Sequence, residues 1–143
     1  MCKISAAAVK ELRELTNISM MECKRALEEA KGDKEKSIKI LRERGLAIAS
    51  KKASRAANEG LIASVLLDDG AAGSLIEVNC ETDFVARNEA FQSFVTDLAQ
   101  RVAADDSGMP EAAQEDITVK ITETGENIVF NRHTRYERSG TGR

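Results

Sequence analysis

The spacing of apolar residues changes once along this chain of 143 residues, near Asn58, and this change constrains the fold most. Before it, apolar residues recur every three or four positions, as on one face of an α-helix. After it, β-prone apolar runs alternate with turn residues. The charge changes at the same point, because the first part carries 14 basic and 8 acidic residues and the second carries 7 and 16. The sequence therefore predicts two modules with different architectures and surfaces.

Two short helices are predicted at the N-terminus. Ser5 can cap the first, and residues 16–18 break it. Ser19 followed by Glu22 has the capping-box form, in which each side chain can accept a hydrogen bond from the other residue's backbone, so a second helix begins there and Gly32 can end it. The residues expected to face the core lie at helical spacing and are Ala8, Val9, Leu12, Leu15, Cys23, Ala26, Leu27 and Ala30.

A third helix and a linker helix are expected to follow. Asp33 can cap a third helix that ends at Gly45, so residues 1–45 would form a compact three-helix bundle. Residues 46–58 are basic and rich in alanine, the residue with the highest helix propensity. They predict a linker helix, which Gly60 would stop.

A β-hairpin and a long helix are predicted after the change in spacing. The apolar runs 61–67 and 75–80 flank the turn residues Asp68-Asp69-Gly70, which is the pattern of a hairpin. A helix over 83–104 follows, and Thr82 or Asp83 can cap it. Its core-facing stripe would consist of Phe91, Phe94, Val95, Leu98 and Val102.

The segment 117–124 fits two structures equally well. Its apolar residues alternate as in a strand, whereas Pro110 and Gly125 suit the beginning and the end of a helix. Residues 128–137 predict a final strand. We therefore expect residues 59–143 to form an α+β core subdomain, a small antiparallel β-sheet packed with helices.

Several classes of protein are disfavoured by composition. The apolar stretches are far shorter than the roughly 20 residues of a membrane span, and the first residues lack the continuous apolar region of a secretory signal. The cysteines, Cys2, Cys23 and Cys80, are odd in number and widely spaced, which favours a reducing cytosol over a disulfide framework. The single histidine, His133, has no ligand partner at suitable spacing. We therefore expect a cytoplasmic protein with no metal, no cofactor and no enzymatic activity.

One basic patch is a candidate for contact with nucleic acid. Lys51, Lys52 and Arg55 lie close together among alanines. Most other basic residues of the first module alternate with glutamates, a pattern typical of a solvated helix surface. We therefore expect no nucleic-acid partner.

Met20 and Met21 do not fit a purely structural role. Adjacent residues lie about 100° apart around a helix, so both cannot be central to one small core. We expect one of them at the surface, beside apolar surface from Leu12 and the preceding turn, because methionine adapts to varied partners. The alternative is core filling at the thin end of the bundle.

A strand ends and a helix begins around Thr82, Asp83, Phe84 and Val85. Phe84 lies in the first helical turn, before the main apolar stripe. An aromatic residue at such a corner either folds into the core or stands out from the surface. The residues alone favour a buried Phe84.

Several motifs in order along the chain resemble one known family. Asn79–Asn88, with the sequence NCETDFVARN, resembles the signature of bacterial elongation factor Ts. Leu12–Thr16 followed by Met20–Leu27 resembles that family's first signature. Further matches are Leu41–Gly45, Ala49–Ala53 and Gly125–Ile128. The resemblance covers the whole chain.

The resemblance implies an exchange factor. Elongation factor Ts is the guanine-nucleotide exchange factor of elongation factor Tu, the GTPase that delivers aminoacyl-tRNA to the ribosome. The three-helix module, similar to a ubiquitin-associated domain, would dock on the GTPase through Leu12, Met20 and Met21. Phe84 would be a wedge inserted between helices of the GTPase domain near its magnesium site, which reverses the preference for a buried ring. Its neighbours in the motif are Thr82, Asp83 and Val85.

The resemblance also implies a structure for residues 117–124 and indicates how much of the family's protein this chain contains. It implies that 117–124 is the end of a helix capped by Gly125. It implies that the chain holds the N-terminal module and a first core subdomain, so we expect either a fragment of a longer protein or a short form that forms a homodimer through the core subdomain. The alternative function is a ubiquitin-associated-like module that binds helical peptides on a scaffold and acts on no GTPase.

Overall fold

The first three helices form as the sequence predicted. The computed structural model describes residues 3–140. Ser5, Ser19 and Asp33 each accept a hydrogen bond from a backbone N–H in the first turn of their helix, so the three predicted caps are confirmed. The helices are α1 (Ala6–Thr16), α2 (Met20–Glu29) and α3 (Lys34–Lys52).

The predicted end of the third helix at Gly45 is wrong. α3 continues to Lys52, so the linker helix expected over 46–58 is the last part of α3 followed by a turn. Gly45 does not adopt the positive φ that ends helices. A Cβ at Gly45 would lie 3.1 Å from the Cγ2 of Thr118, so the glycine allows close packing.

Gly60 does not stop a helix either, because it lies inside the first strand. Its φ is +151°, a conformation that residues with side chains rarely adopt. A Cβ at Gly60 would lie 2.3 Å from the carbonyl oxygen of Val78 on the next strand. The glycine is therefore required by the close approach of two strands.

The core subdomain contains a three-stranded antiparallel sheet in the order β1-β2-β3, which confirms the predicted hairpin and final strand. Leu75 in the central strand lies opposite Ser64 and Thr134, and a bulge interrupts the register between Glu77 and Val78. The fold class, three N-terminal helices followed by a small sheet packed with helices, is confirmed. The strands are β1 (Glu59–Leu66), β2 (Ala72–Cys80) and β3 (Val129–Glu137).

The helix predicted over 83–104 is two helices, α4 (Asp83–Ala86) and α5 (Glu89–Ala104). The break follows from Asn88, whose side-chain oxygen accepts from the backbone N–H groups of Ala90 and Phe91 at 2.8 and 3.3 Å and so begins α5. The predicted stripe on α5 is buried except for Phe94, which is half-buried.

The segment 117–124 is helical, so the expectation from the resemblance is confirmed and the strand alternative is wrong. It lies in α6 (Gln114–Thr124), which follows a 3₁₀ turn over Glu111–Ala113. Gly125 follows with a φ of +74°, the left-handed conformation in which glycine ends helices.

The chain divides into two compact units. One contains α1, α2 and α3 together with Thr118–Gly125, and Val119 packs against the apolar core of the three helices. The other contains the sheet, α4 and α5. The assignment of residues 1–45, 46–58 and 59–143 to separate functional domains stays a prediction.

Cys23 and Cys80 are buried free thiols, and Cys2 lies outside the described residues. None of the helices in residues 3–140 is both long enough and apolar enough to span a bilayer.

Candidate protein-docking sites

Phe84 is 83% exposed, more than any other large apolar side chain in residues 3–140. The preference for a buried ring is therefore wrong, and the exposed ring implied by the resemblance is confirmed. α4 is one turn long, and Ala86 is its residue that faces the interior. Phe84 precedes Ala86 by two positions, or about 200° around the helix, so its ring faces solvent.

The neighbours of Phe84 fix the backbone of this turn. Thr82 is the N-cap of α4, and its hydroxyl accepts from the Val85 N–H at 3.3 Å. Asp83 is half-exposed and lies 3.6 Å from the guanidinium of Arg87. Val85 is half-buried. The motif thus presents one aromatic ring and one carboxylate on a capped turn.

Glu126 is a site residue that sequence reasoning missed. Its Oε1 accepts from the backbone N–H groups of Glu81 and Thr82, both at 3.1 Å, and its Oε2 accepts from the Thr82 hydroxyl at 2.7 Å. The only sequence signal was its place in the motif Gly125–Ile128, which matched the family but had no assigned role. Its 44 residues of separation from Thr82 give no local pattern.

The thiol of Cys80 also holds the corner before α4. Its Sγ donates to the carbonyl oxygen of Thr82 at 3.2 Å. Burial raises the pKa of the Cys80 thiol, and the negative charge of Glu126 raises it further. The thiol therefore stays protonated at neutral pH, as a donor must.

A second apolar site lies where α1 ends and α2 begins. We expected one of the two methionines at the surface, and both are exposed, Met20 by 45% and Met21 by 61%. Leu15, expected in the core, is 58% exposed. Leu12 is 1% exposed, which confirms its place on the core-facing stripe and contradicts its expected share in the surface beside the methionines. Leu12 packs in the core of the three helices, and Leu15 is the exposed leucine in the last turn of α1.

The turn that precedes Met20 is held by side chains. The Thr16 hydroxyl donates to the Leu12 carbonyl at 2.8 Å and accepts from the Ile18 N–H at 3.3 Å. Asn17 adopts a left-handed φ of +57°, which asparagine tolerates. The buried Cys23 thiol donates to the Ile18 carbonyl at 3.6 Å, and burial raises the pKa of this thiol.

The basic patch is partly engaged with the protein's own groups. The ammonium of Lys52 donates to the Gly125 carbonyl at 2.8 Å. The guanidinium of Arg55 lies 3.6 Å from the carboxylate of Glu81. The third residue of the patch, Lys51, is exposed. The expectation of no nucleic-acid partner stays a prediction.

The outer face of the sheet is a third apolar surface. Ser74, Ile76 and Val78 of β2 are buried, and the Ser74 hydroxyl donates to the Ala99 carbonyl of α5 at 2.6 Å. Residues at alternate positions point to the opposite face. That face carries the exposed side chains of Ile62, Leu66, Leu75 and Tyr136.

In the part of the chain described, no group of three or more His, Cys, Asp or Glu side chains is arranged to hold a metal ion. The candidate sites are exposed apolar side chains on two short, capped turns and on the outer face of the sheet. A fold with such sites is typical of a protein that binds another protein.

Comparison with known proteins identifies the relatives of this chain. A family model described as "Elongation factor TS" matches residues 81–142. Elongation factor Ts of Clostridium acetobutylicum is 46% identical over 145 aligned positions, which cover 93% of this chain and 47% of the relative. Elongation factor Ts of Caldanaerobacter subterraneus subsp. tengcongensis is 51% identical over 126 positions, covering 88% of this chain and 62% of the relative.

A third relative, elongation factor Ts of Geobacter sp. strain M21, is 58% identical over 101 positions, covering 71% of this chain and 47% of the relative. The resemblance is thereby confirmed, and the chain is a homologue of elongation factor Ts. It spans about half the length of two of these relatives and 62% of the other.

Proposed function

We propose that this chain promotes the release of GDP from elongation factor Tu during translation elongation in the cytoplasm. The observation that carries the proposal is the Phe84 ring, 83% exposed in a motif that matches elongation factor Ts. An isolated aromatic ring on a capped turn has little to contribute to its own fold, and it suits insertion into a pocket of a partner.

The proposed mechanism is a coupling between two binding events. A protein that speeds GDP release binds the nucleotide-free GTPase more tightly than the GDP form, and the nucleotide weakens its binding by the same factor. The Phe84 ring would enter between helices of the GTPase domain near the magnesium site, with Asp83 beside it. A disturbed Mg²⁺ leaves the phosphate charges less neutralised, so GDP leaves faster. No covalent bond changes, so the chain would act as a binding factor and not as an enzyme.

The three-helix unit would supply a second contact. Met20, Met21 and Leu15 are exposed apolar side chains at the end of α1 and the beginning of α2. Leu12, named by the resemblance, would act from beneath by supporting the turn between these helices, because it is buried. The Thr16 hydroxyl, which accepts from the Ile18 N–H, and the left-handed backbone of Asn17 hold the turn in one conformation.

The direct test is the release of a fluorescent GDP analogue from elongation factor Tu, with and without this chain. We expect the release rate to rise with the concentration of the chain and to saturate. An unchanged rate, together with binding of helical peptides by the chain, would favour the alternative of a peptide-binding module.

We predict that Met20→Asp and Met21→Asp each weaken binding to elongation factor Tu by about tenfold, because a carboxylate would be desolvated in an apolar contact. Isothermal titration calorimetry measures the affinity. Met20→Leu and Met21→Leu keep the apolar surface and serve as matched controls that retain near-normal affinity. Undiminished affinity in both aspartate variants would count against docking through this turn.

We propose also that two copies of the chain associate through the outer face of the sheet. Ile62, Leu66 and Tyr136 on that face are exposed apolar side chains, and several exposed apolar side chains on one face are typical of interfaces. We predict that sedimentation velocity shows a dimer and that the double variant Ile62→Lys with Leu66→Lys shows a monomer. Leu46→Lys, at an exposed leucine of α3, is the matched control. A wild-type chain that sediments as a monomer at high concentration would refute this association.

A further inference from the structure

We propose that Glu126 is a positioning residue for the Phe84 wedge, which it holds through the backbone of residues 81 and 82 and through the Thr82 hydroxyl. This inference rests on the proposed function, because it assigns to Glu126 the task of fixing the ring that would enter the GTPase. Glu126 itself is half-buried and lies 44 residues from Thr82 in the sequence.

Glu126 fixes the backbone at the corner between β2 and α4. The N–H groups of Glu81 and Thr82 lie after the last strand residue and before the first helix residue, where neither a β-ladder nor a helix pairs them. Both donate to one oxygen of Glu126 at 3.1 Å. Hydrogen bonds to a carboxylate are stronger than those between neutral groups, so one side chain fixes two successive peptide units.

Glu126 also orients the Thr82 hydroxyl. A hydroxyl has one proton to donate, and this proton goes to Glu126 Oε2 at 2.7 Å. A lone pair of the same oxygen is then available to the Val85 N–H, which donates to it at 3.3 Å. Glu126 therefore orients the cap that begins α4, and Phe84 lies between the capping residue and the capped N–H.

A further set of contacts involves the side chains of Glu81 and Asn127. The Glu81 carboxylate accepts from the Asn127 N–H at 3.1 Å and lies 3.6 Å from the guanidinium of Arg55. The buried Asn127 donates through its side-chain amide to the Arg55 carbonyl at 2.9 Å. The segments 81–82 and 126–127 therefore hold each other by bonds from backbone to side chain in both directions.

These bonds position the Phe84 ring because α4 and the core contribute little to its orientation. α4 has only four residues, and a helix that short has little stability of its own. The Phe84 side chain is exposed and gains no fixed place from core packing. The direction of the ring therefore depends on the backbone of the corner, and a corner that is fixed in the free protein loses less conformational entropy on binding.

The test compares Glu126→Ala, Glu126→Gln and a matched control, Asp97→Ala. Alanine removes these three acceptor contacts, whereas glutamine keeps one oxygen for the two N–H groups but replaces the acceptor of the Thr82 hydroxyl with an NH₂ donor. Asp97 is an exposed acidic residue of α5 in the same unit, so its loss changes the net charge equally. Circular dichroism checks that each variant is folded.

Two measurements are made on each variant: release of the fluorescent GDP analogue from elongation factor Tu, and amide hydrogen exchange of the free chain. For Glu126→Ala we expect release to slow by about tenfold and exchange at Thr82 and Val85 to speed up by a similar factor, because the backbone N–H groups and the Thr82 hydroxyl lose their acceptor. Amides of β2 and α5 should exchange as in the wild type. Glu126→Gln should slow release by about threefold, less than Glu126→Ala, because it keeps an acceptor for the two backbone N–H groups but not for the Thr82 hydroxyl. Asp97→Ala should change neither measurement.

If a folded Glu126→Ala variant stimulated GDP release from elongation factor Tu as fast as the wild type, the positioning role would be overturned. If Phe84→Ala slowed release in the same assay, the proposed function would still stand. Faster exchange throughout β2 and α5 would also overturn it, because Glu126 would then serve general stability. Failure of the wild-type chain to stimulate release would contradict the proposed function and, with it, this role.

Discussion

Replacing Phe84 with alanine is expected to remove most of the stimulated GDP release from elongation factor Tu and to leave the fold intact. The ring is 83% exposed, so its loss creates no cavity in the core. Aromatic side chains that fill a partner's pocket commonly contribute 2 kcal/mol or more, which corresponds to a loss of about thirtyfold in rate if the contact is made in the exchange step. Release of the fluorescent GDP analogue measures this directly.

Tyr136 supplies the matched control for this prediction. It is an exposed aromatic residue of the same unit and lies on β3, outside the motif of Phe84. Tyr136→Ala should leave stimulated release within about twofold of the wild-type rate, as expected for a surface substitution away from the site. If a folded Phe84→Ala variant stimulated GDP release from elongation factor Tu as fast as the wild type does, the wedge assignment would be refuted.

The helix beginnings were predictable because their causes are local. Ser5, Ser19 and Asp33 each cap through a side chain that reaches a backbone N–H three residues ahead, so the pattern lies within a few residues of sequence. The end of α3 was not predictable in this way. Gly45 has the composition of a helix end, but its role depends on Thr118, which lies 73 positions further along the chain.

Burial at the candidate sites was less predictable than secondary structure. Helical spacing placed Leu12 and Leu15 on one stripe, but the small core admits Leu12 and leaves Leu15 exposed. The ring of Phe84 was misplaced by local reasoning because that reasoning assigned an aromatic residue at a strand–helix corner to the core, whereas the structure leaves the ring exposed on the one-turn helix α4. Glu126 was missed because its partners, Glu81 and Thr82, are distant in sequence and meet it only in the folded subdomain.

The largest loss of stability is expected from Phe91→Ala. Phe91 is fully buried, lies on α5 among Val95 and Leu98, and its ring centroid is 6.4 Å from that of Phe94. Removing a buried phenylalanine ring costs about 3–5 kcal/mol, because transfer energy is lost and a cavity remains. This is a large share of the roughly 5–15 kcal/mol by which small domains are stable. Urea unfolding followed by circular dichroism measures the change.

The pair Phe91→Ala and Phe84→Ala separates stability from function within one residue type. Phe84→Ala should change the free energy of unfolding by no more than about 0.5 kcal/mol, as for an exposed side chain. Phe91→Ala should lose release activity only as far as it unfolds at the assay temperature, so that activity per folded molecule stays near normal. A Phe91→Ala variant within 1 kcal/mol of wild-type stability would show that α5 does not depend on this ring, contrary to its complete burial against the apolar stripe.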